Sequence, residues 1–222
     1  MKRAALLLLT GLVVAAMTGA APASACPGVS VAGGWKTIDT PLPASTFTVD
    51  PDGRIFVAGG RTIAVSIDGG CTWADALRIA ELVPGPVGER RVTSLATVGR
   101  TIVGAVTGGP FVVFSSDGGE TWTVSSIGLD VPGEPAGLYA AGGVAYLLVR
   151  QDVTDEGLAG MGVSAAANVV YRSDDGGVTW TRGDAIATAY TGPDGSGVEG
   201  GSAPGAVWDL AVGPGDPDEV LA

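Results

Sequence analysis

No histidine occurs in the 222 residues, and cysteine appears only twice. The first absence excludes a His-based catalytic triad and a His-ligated metal within this chain, and two cysteines at this separation do not suggest a zinc site. Cations are scarce as well: 12 Lys and Arg stand against 23 Asp and Glu, for a formal charge of −11. A surface of that sign repels phosphate backbones, so nucleic acid is not an expected partner. Beyond the first 25 residues no run of about 18 apolar positions offers a membrane-spanning helix. The Gly pairs open no helix after a strand, so no phosphate-binding loop is expected, and neither cofactor nor metal is implied.

What is present begins with a leader. Lys2 and Arg3 precede an apolar run from Ala4 to Met17, followed by small residues ending in Ala23-Ser24-Ala25. This pattern predicts a secretory signal peptide over residues 1–25 and a secreted product that starts at Cys26 with a formal charge of −13. Export places Cys26 and Cys71 where a disulfide persists, and their pairing is the first expectation. The second reading is a lipoprotein anchored through Cys26. Against it, Ala23 stands where lipoprotein signals usually carry Leu.

One octapeptide recurs three times: SIDGGCTW at 66–73, SSDGGETW at 115–122 and SDDGGVTW at 173–180. The shared pattern is S-x-D-x-G-x-T-W, spaced at the length of one four-stranded blade. Its chemistry is that of a hairpin turn. Asp68, Asp117 and Asp175 are placed to accept hydrogen bonds from backbone N–H groups just ahead, while Gly70, Gly119 and Gly177 permit positive φ. Ser66, Ser115 and Ser173 precede the turn. Thr72, Thr121 and Thr179 follow it, and Trp73, Trp122 and Trp180 each bring a large apolar area that requires burial. All fifteen are read as fold determinants, with no catalytic role. An EF-hand reading fails because the spaced acids and closing Glu are missing.

These octapeptides resemble the Asp-box, or BNR repeat, of sialidases, sortilin-type receptors, certain xyloglucanases and the photosystem II assembly factor family. The resemblance implies an all-β chain of four-stranded antiparallel propeller blades with Asp-box hairpins. Short β-branched and aromatic runs separated by Gly and Pro agree with it. Aligning the boxes places blades over roughly 44–75, 91–127 and 135–184, with a fourth opening at 205–222. Three blades and a fraction do not close a ring in the usual way, so an incomplete propeller with open strand edges, prone to association, is expected. Trp35 to Ile38 reads as an orphan strand of the kind that follows a box.

Two surplus segments mark where function would sit. An insertion over Gln151 to Asn168 and a long connection from Gly183 to Ala206 both open on the face opposite the boxes, and surplus loops are where repeat proteins place binding. Asp152, Asp155, Glu156, Tyr190, Trp208 and Asp209 are the candidate binding-loop residues. A sialidase-like hydrolase would need clustered arginines, a Tyr with an adjacent acid and an acidic general acid. The Arg-Ile-Pro string of such enzymes finds only Arg54-Ile55-Phe56 here. The preferred expectation is therefore an exported module that binds a protein or glycan. The alternative is a sialidase-like glycoside hydrolase whose catalytic residues lie mostly in blades this sequence does not contain.

Overall fold

The computed structural model describes residue 26 and residues 29–32, 35–82, 90–108, 111–127, 133–153, 164–191, 211–212 and 220–221. A two-stranded sheet, β1 (Val29–Ala32) with β2 (Trp35–Ile38), comes first. Three four-stranded antiparallel sheets follow, each with its strands in sequence order. The first blade holds β3 (Thr46–Val49), β4 (Ile55–Gly59), β5 (Thr62–Ser66) and β6 (Ala74–Arg78), and a single helical turn, α1 (Ile79–Leu82), follows it. The second holds β7 (Val92–Val98), β8 (Thr101–Val106), β9 (Phe111–Ser115) and β10 (Thr123–Ser126). The third holds β11 (Gly133–Ala141), β12 (Val144–Val153), β13 (Ser164–Ser173) and β14 (Thr181–Thr191). A short pair, β15 (Ala211–Val212) with β16 (Val220–Leu221), begins a further unit.

The blades face one another, and the core lies between them. In β4, Ile55, Phe56, Val57 and Ala58 are all buried. Successive strand residues point to opposite faces. Phe56 and Ala58 accordingly join Leu95, Ile102 and Val106 of the second blade, while Ile55 and Val57 join Ile38 of the N-terminal sheet. β8 divides in the same way: Ile102 and Val106 face the first blade, and Val103 and Ala105 face Leu138, Leu147 and Tyr171 of the third. A strand covered on both faces must be apolar at every position, and this is why the second strands read as unbroken hydrophobic runs.

First strands adjoin first strands, which makes them the inner ones. The Leu95 amide donates to Thr46 Oγ1 at 3.1 Å, the Thr48 and Thr97 hydroxyls meet at 2.8 Å, and the Leu138 amide donates to Ser94 Oγ at 3.2 Å. Side-chain oxygens thus link blades where a continuous backbone ladder would flatten the radial array.

The strands differ from the sequence expectation in three places. The orphan strand at Trp35–Ile38 has a partner, Val29–Ala32, which its few residues did not announce. Fourth strands start two or three residues later than expected, at Ala74, Thr123 and Thr181, because Thr and Trp of each octapeptide remain in the turn. In the third blade much of the expected loop is sheet: β12 and β13 pair as far as Val153 with Ala165, and β13 and β14 as far as Ser164 with Thr191. The insertion lengthens three strands and projects them beyond the blade.

Candidate functional site

Each octapeptide closes on its own aspartate. Ser66 Oγ donates to Asp68 Oδ1 at 2.8 Å and accepts the Gly70 amide at 2.8 Å. Asp68 Oδ1 also accepts the amides of Cys71 and Thr72 at 3.0 and 2.9 Å, and its Oδ2 accepts the Thr72 hydroxyl at 2.6 Å. The second box repeats this set with Ser115, Asp117, Gly119, Glu120 and Thr121, and the third with Ser173, Asp175, Gly177, Val178 and Thr179. The serines are buried and the aspartates are exposed, so the hydroxyl links the core to the carboxylate at the turn's tip.

Donors converging on an anion favour its charged form. The Thr72 hydroxyl and amide hold Asp68 at about 2, and the Thr121 hydroxyl and amide hold Asp117 at about 2. At Asp175 desolvation pushes upward, but the Thr179 and Ser173 hydroxyls and the Thr179 and Val178 amides outweigh it and the group is lowered. A carboxylate spent on its own turn has no capacity left for proton transfer.

Both glycines of every box take positive φ, with Gly70, Gly119 and Gly177 at 94°, 91° and 90°. These three also seat the box on the preceding unit: Gly70 lies against Ile38, Gly119 against Phe56 and Gly177 against Val103. The tryptophans are half-buried, packed at the same seams. Each stands in the turn just before an outer strand. Trp122 and Trp180 donate Nε1–H to Gly119 O and Gly177 O at 3.2 and 3.0 Å, whereas Trp73 Nε1 is buried with no partner among the described residues. In that same first box, Cys71 is disulfide-bonded to Cys26, with Cα atoms 5.1 Å apart.

A second cluster lies on the box face and escaped the sequence reading. In the β3–β4 turn, buried Asp50 accepts the Asp52 and Arg54 amides at 3.0 and 2.9 Å and the Arg54 Nε–H at 2.5 Å. Asp52 receives Arg54 and, across the seam, Arg100 at 2.5 Å. The Arg54 guanidinium fills the space beneath Gly118 of the second box. Arg54, the residue nearest to a substrate-clamping arginine in sequence, is thus committed to joining blades. The Asp-Pro-Asp-Gly run at 50–53 was the available signal.

The opposite face carries the lengthened third blade. Asp152 stands in register with Ala166, and Tyr190 with Ala165, so the projecting strands bring these two positions onto one sheet. Asp155, Glu156, Trp208 and Asp209 lie outside the described residues, as do residues 1–25, expected as a leader, and most of 205–222, expected as a fourth unit. At the base of the projection Gln151 Nε2 donates to Tyr171 Oη at 3.0 Å, both buried. Among the described residues no group of three or more Cys, Asp or Glu is placed to hold a metal ion, and no helix is long and apolar enough to cross a membrane.

The family model for the BNR/Asp-box repeat matches residues 171–182. The photosystem II assembly lipoprotein Ycf48 of Synechococcus sp. (strain CC9902) is 30% identical over 151 residues, which cover 66% of this chain and 39% of that protein. Among solved structures, YCF48 from Cyanidioschyzon merolae superposes with a TM-score of 0.46 at 22% identity, over 66% of this chain and 43% of that one. The GH74 xyloglucanase from Xanthomonas campestris gives 0.44 at 17% identity, over 84% and 37%. This chain spans about two fifths of the length of the curated relative it matches. With three octapeptides closed on their aspartates at the turns of three four-stranded antiparallel sheets, the chain is an Asp-box repeat protein of β-propeller architecture.

Proposed function

We propose that this chain is an exported scaffold that binds a polypeptide on the face opposite the Asp-boxes, through the projecting strands of the third blade. The observation that carries the reading is the departure of that blade from its neighbours. β12, β13 and β14 run 10, 10 and 11 residues, against 6, 5 and 4 for β8, β9 and β10, and the surplus lies on the face away from the box turns. Packing between blades does not require that length. Extended strands with an open edge suit recognition of another extended chain by backbone hydrogen bonds. A protein partner is preferred over a glycan because the relative with 30% identity is named as a photosystem II assembly lipoprotein.

Replacement of residues 152–166 by a two-residue Asn-Gly turn, which joins the paired Gln151 and Ala167 and removes the projecting ends of β12 and β13, tests the assignment. Peptides selected from a displayed random library against the native chain should lose at least tenfold in affinity for the variant, while its unfolding midpoint is unchanged. Undiminished binding would overturn the placement. Release of sugar from sialosides or xyloglucan by the purified chain would overturn the non-enzymatic reading.

A further inference from the structure

The chain holds a cation that its own described residues leave unmatched. Arg90 is only 9% exposed, its Nη1 is buried without a hydrogen-bond partner among the described residues, and its guanidinium carbon lies over the Phe111 ring, 4.9 Å from the centroid. A guanidinium does not discharge by losing its proton, so desolvation without a counter-ion is a standing cost. The chain has 23 acidic residues with which to meet that cost. It pairs Arg54, Arg78, Arg100 and Arg172 with Asp50, Asp75, Asp52 and Asp174, yet no ion pair joins Arg90 to a described residue.

The backbone gathers further positive charge around it. Arg90 precedes the inner strand β7, whose far end turns on the box face, so Arg90 lies on the opposite face at the seam of the first two blades. The Val92 amide donates to Gly60 O at 2.9 Å, which brings the β4–β5 turn and Arg61 alongside. Arg91 O accepts the Thr107 amide at 2.9 Å, and the Arg91 amide donates to Thr107 Oγ1 at 3.2 Å, fixing the end of β8 on the other side. Three of the chain's 12 cationic residues, Arg61, Arg90 and Arg91, thus meet at one end of one seam. Two described acids flank this end: Glu134 of the third blade, whose carboxylate accepts the Gly108 amide at 3.0 Å, and Glu81 of α1, whose first residue, Ile79, donates its amide to Arg61 O at 2.9 Å.

We propose that Arg90 anchors a carboxylate-binding site at this seam, taking a single carboxylate presented by a polypeptide. Phe111 packs against the guanidinium, and a planar carboxylate matches a guanidinium's edge with two parallel hydrogen bonds. One buried charge calls for one opposite charge. The acidic surface beyond the three arginines disfavours polyanions, which separates this site from a phosphate-backbone groove. The peptide source of the carboxylate rests on the scaffold reading above, and the carboxylate chemistry does not.

The test is the Arg90 Nε–H resonance of the intact chain, titrated with sodium acetate, with sodium chloride at equal ionic strength as control. Acetate should shift it saturably and chloride should not; equal responses would overturn the site. The second arm uses three acetylated tetra-alanine peptides: a free C-terminal carboxylate, an amidated terminus, and an amidated terminus with one internal Glu. Binding of the first or third at least tenfold tighter than the amidated all-alanine peptide supports the proposal and names terminus or side chain as the source. If acetate binds and all three peptides are equal, the site stands and the scaffold reading falls at this seam. Arg90→Met should abolish the acetate response, and Arg90→Lys should weaken it at least tenfold by removing the planar edge. Because either change affects a buried residue, Phe111→Leu is the third variant. It keeps the charge, frees the guanidinium from the ring, and should weaken acetate severalfold; unchanged affinity would remove the ring from the site.

Discussion

Gly119 rests on Phe56: a Cβ at this glycine would lie 2.7 Å from Phe56 Cε1, so the turn of one blade is seated on the second strand of the blade before it. The same residue holds φ at 91°. Turn conformation and blade packing therefore both demand glycine at one position. Gly119→Ala should cost about 1–3 kcal/mol from backbone strain before any displacement of the ring is counted. Gly99→Ala is the control, since φ is 61° there and nothing stands within 4 Å of the added carbon. It should cost roughly 1–2 kcal/mol, the ordinary left-handed penalty. Denaturant unfolding of both variants measures the difference, and equal losses would show that Phe56 yields freely.

The box aspartates make the fold sensitive to acid. Asp68 and Asp117 are lowered to about 2 from an ordinary 3.8, and Asp175 is lowered as well. A carboxylate with a depressed folded-state value contributes stability that is fully present above its unfolded value and is lost as pH falls through the folded one. Stability should hold down to about pH 4 and decline between about pH 4 and 2. Asp117→Asn should remove part of that slope while lowering stability at neutral pH. Unfolding midpoints measured across this range decide it, and identical slopes for the variant and the native chain would contradict the assignment.

The tryptophans should not respond alike. Trp122→Phe loses the bond from Nε1 to Gly119 O and should cost about 1 kcal/mol. Trp73→Phe removes a buried N–H that has no partner, and should be neutral or stabilising. Trp122→Ala, which empties a half-filled seam, should cost about 3 kcal/mol, the low end of large aromatic truncations. Paired unfolding curves give the comparison. A larger loss for Trp73→Phe than for Trp122→Phe would reverse the reading.

The disulfide closes a sequence separation of 45 residues. In the chain-entropy treatment a loop of that length is worth roughly 4 kcal/mol, and strain in the folded state reduces the gain. Melting with and without reductant should therefore differ by several degrees. The same bond occupies the sulfur that a lipid anchor would need. We propose cleavage after Ala25, for which the intact mass of secreted material should correspond to a chain beginning at Cys26 with no diacylglycerol and two fewer hydrogens. A lipid adduct would show that the bond does not form in the cell.

Much of the architecture was legible because local chemistry repeats. Ser, Asp, Gly and Thr at fixed offsets can satisfy one another within eight residues, so a turn formed entirely from its own hydrogen bonds is visible without any knowledge of distant contacts. β8 (Thr101–Val106) and β9 (Phe111–Ser115) are short runs rich in β-branched and aromatic residues with glycine close to their ends, the pattern expected of such strands. The insertion was visible as surplus length but was read as loop, because Ala-rich strands such as Ser164–Asn168 carry little β propensity and extend only by pairing with β12 and β14.

By itself the sequence determined the turns, the blade period and the acidic charge, since each depends on residues within a few positions of one another or on composition alone. Tertiary structure decided the rest. Whether Gly119 meets Phe56, whether Arg54 serves a substrate or a seam, and whether Arg90 finds a counter-ion all depend on which blade lies beside which. Those pairs are separated by tens of residues, and only the packing of whole sheets brings them together. Burial removes the water that would otherwise satisfy each charge, so the consequence of a lone arginine emerges only after the neighbouring blade has covered it.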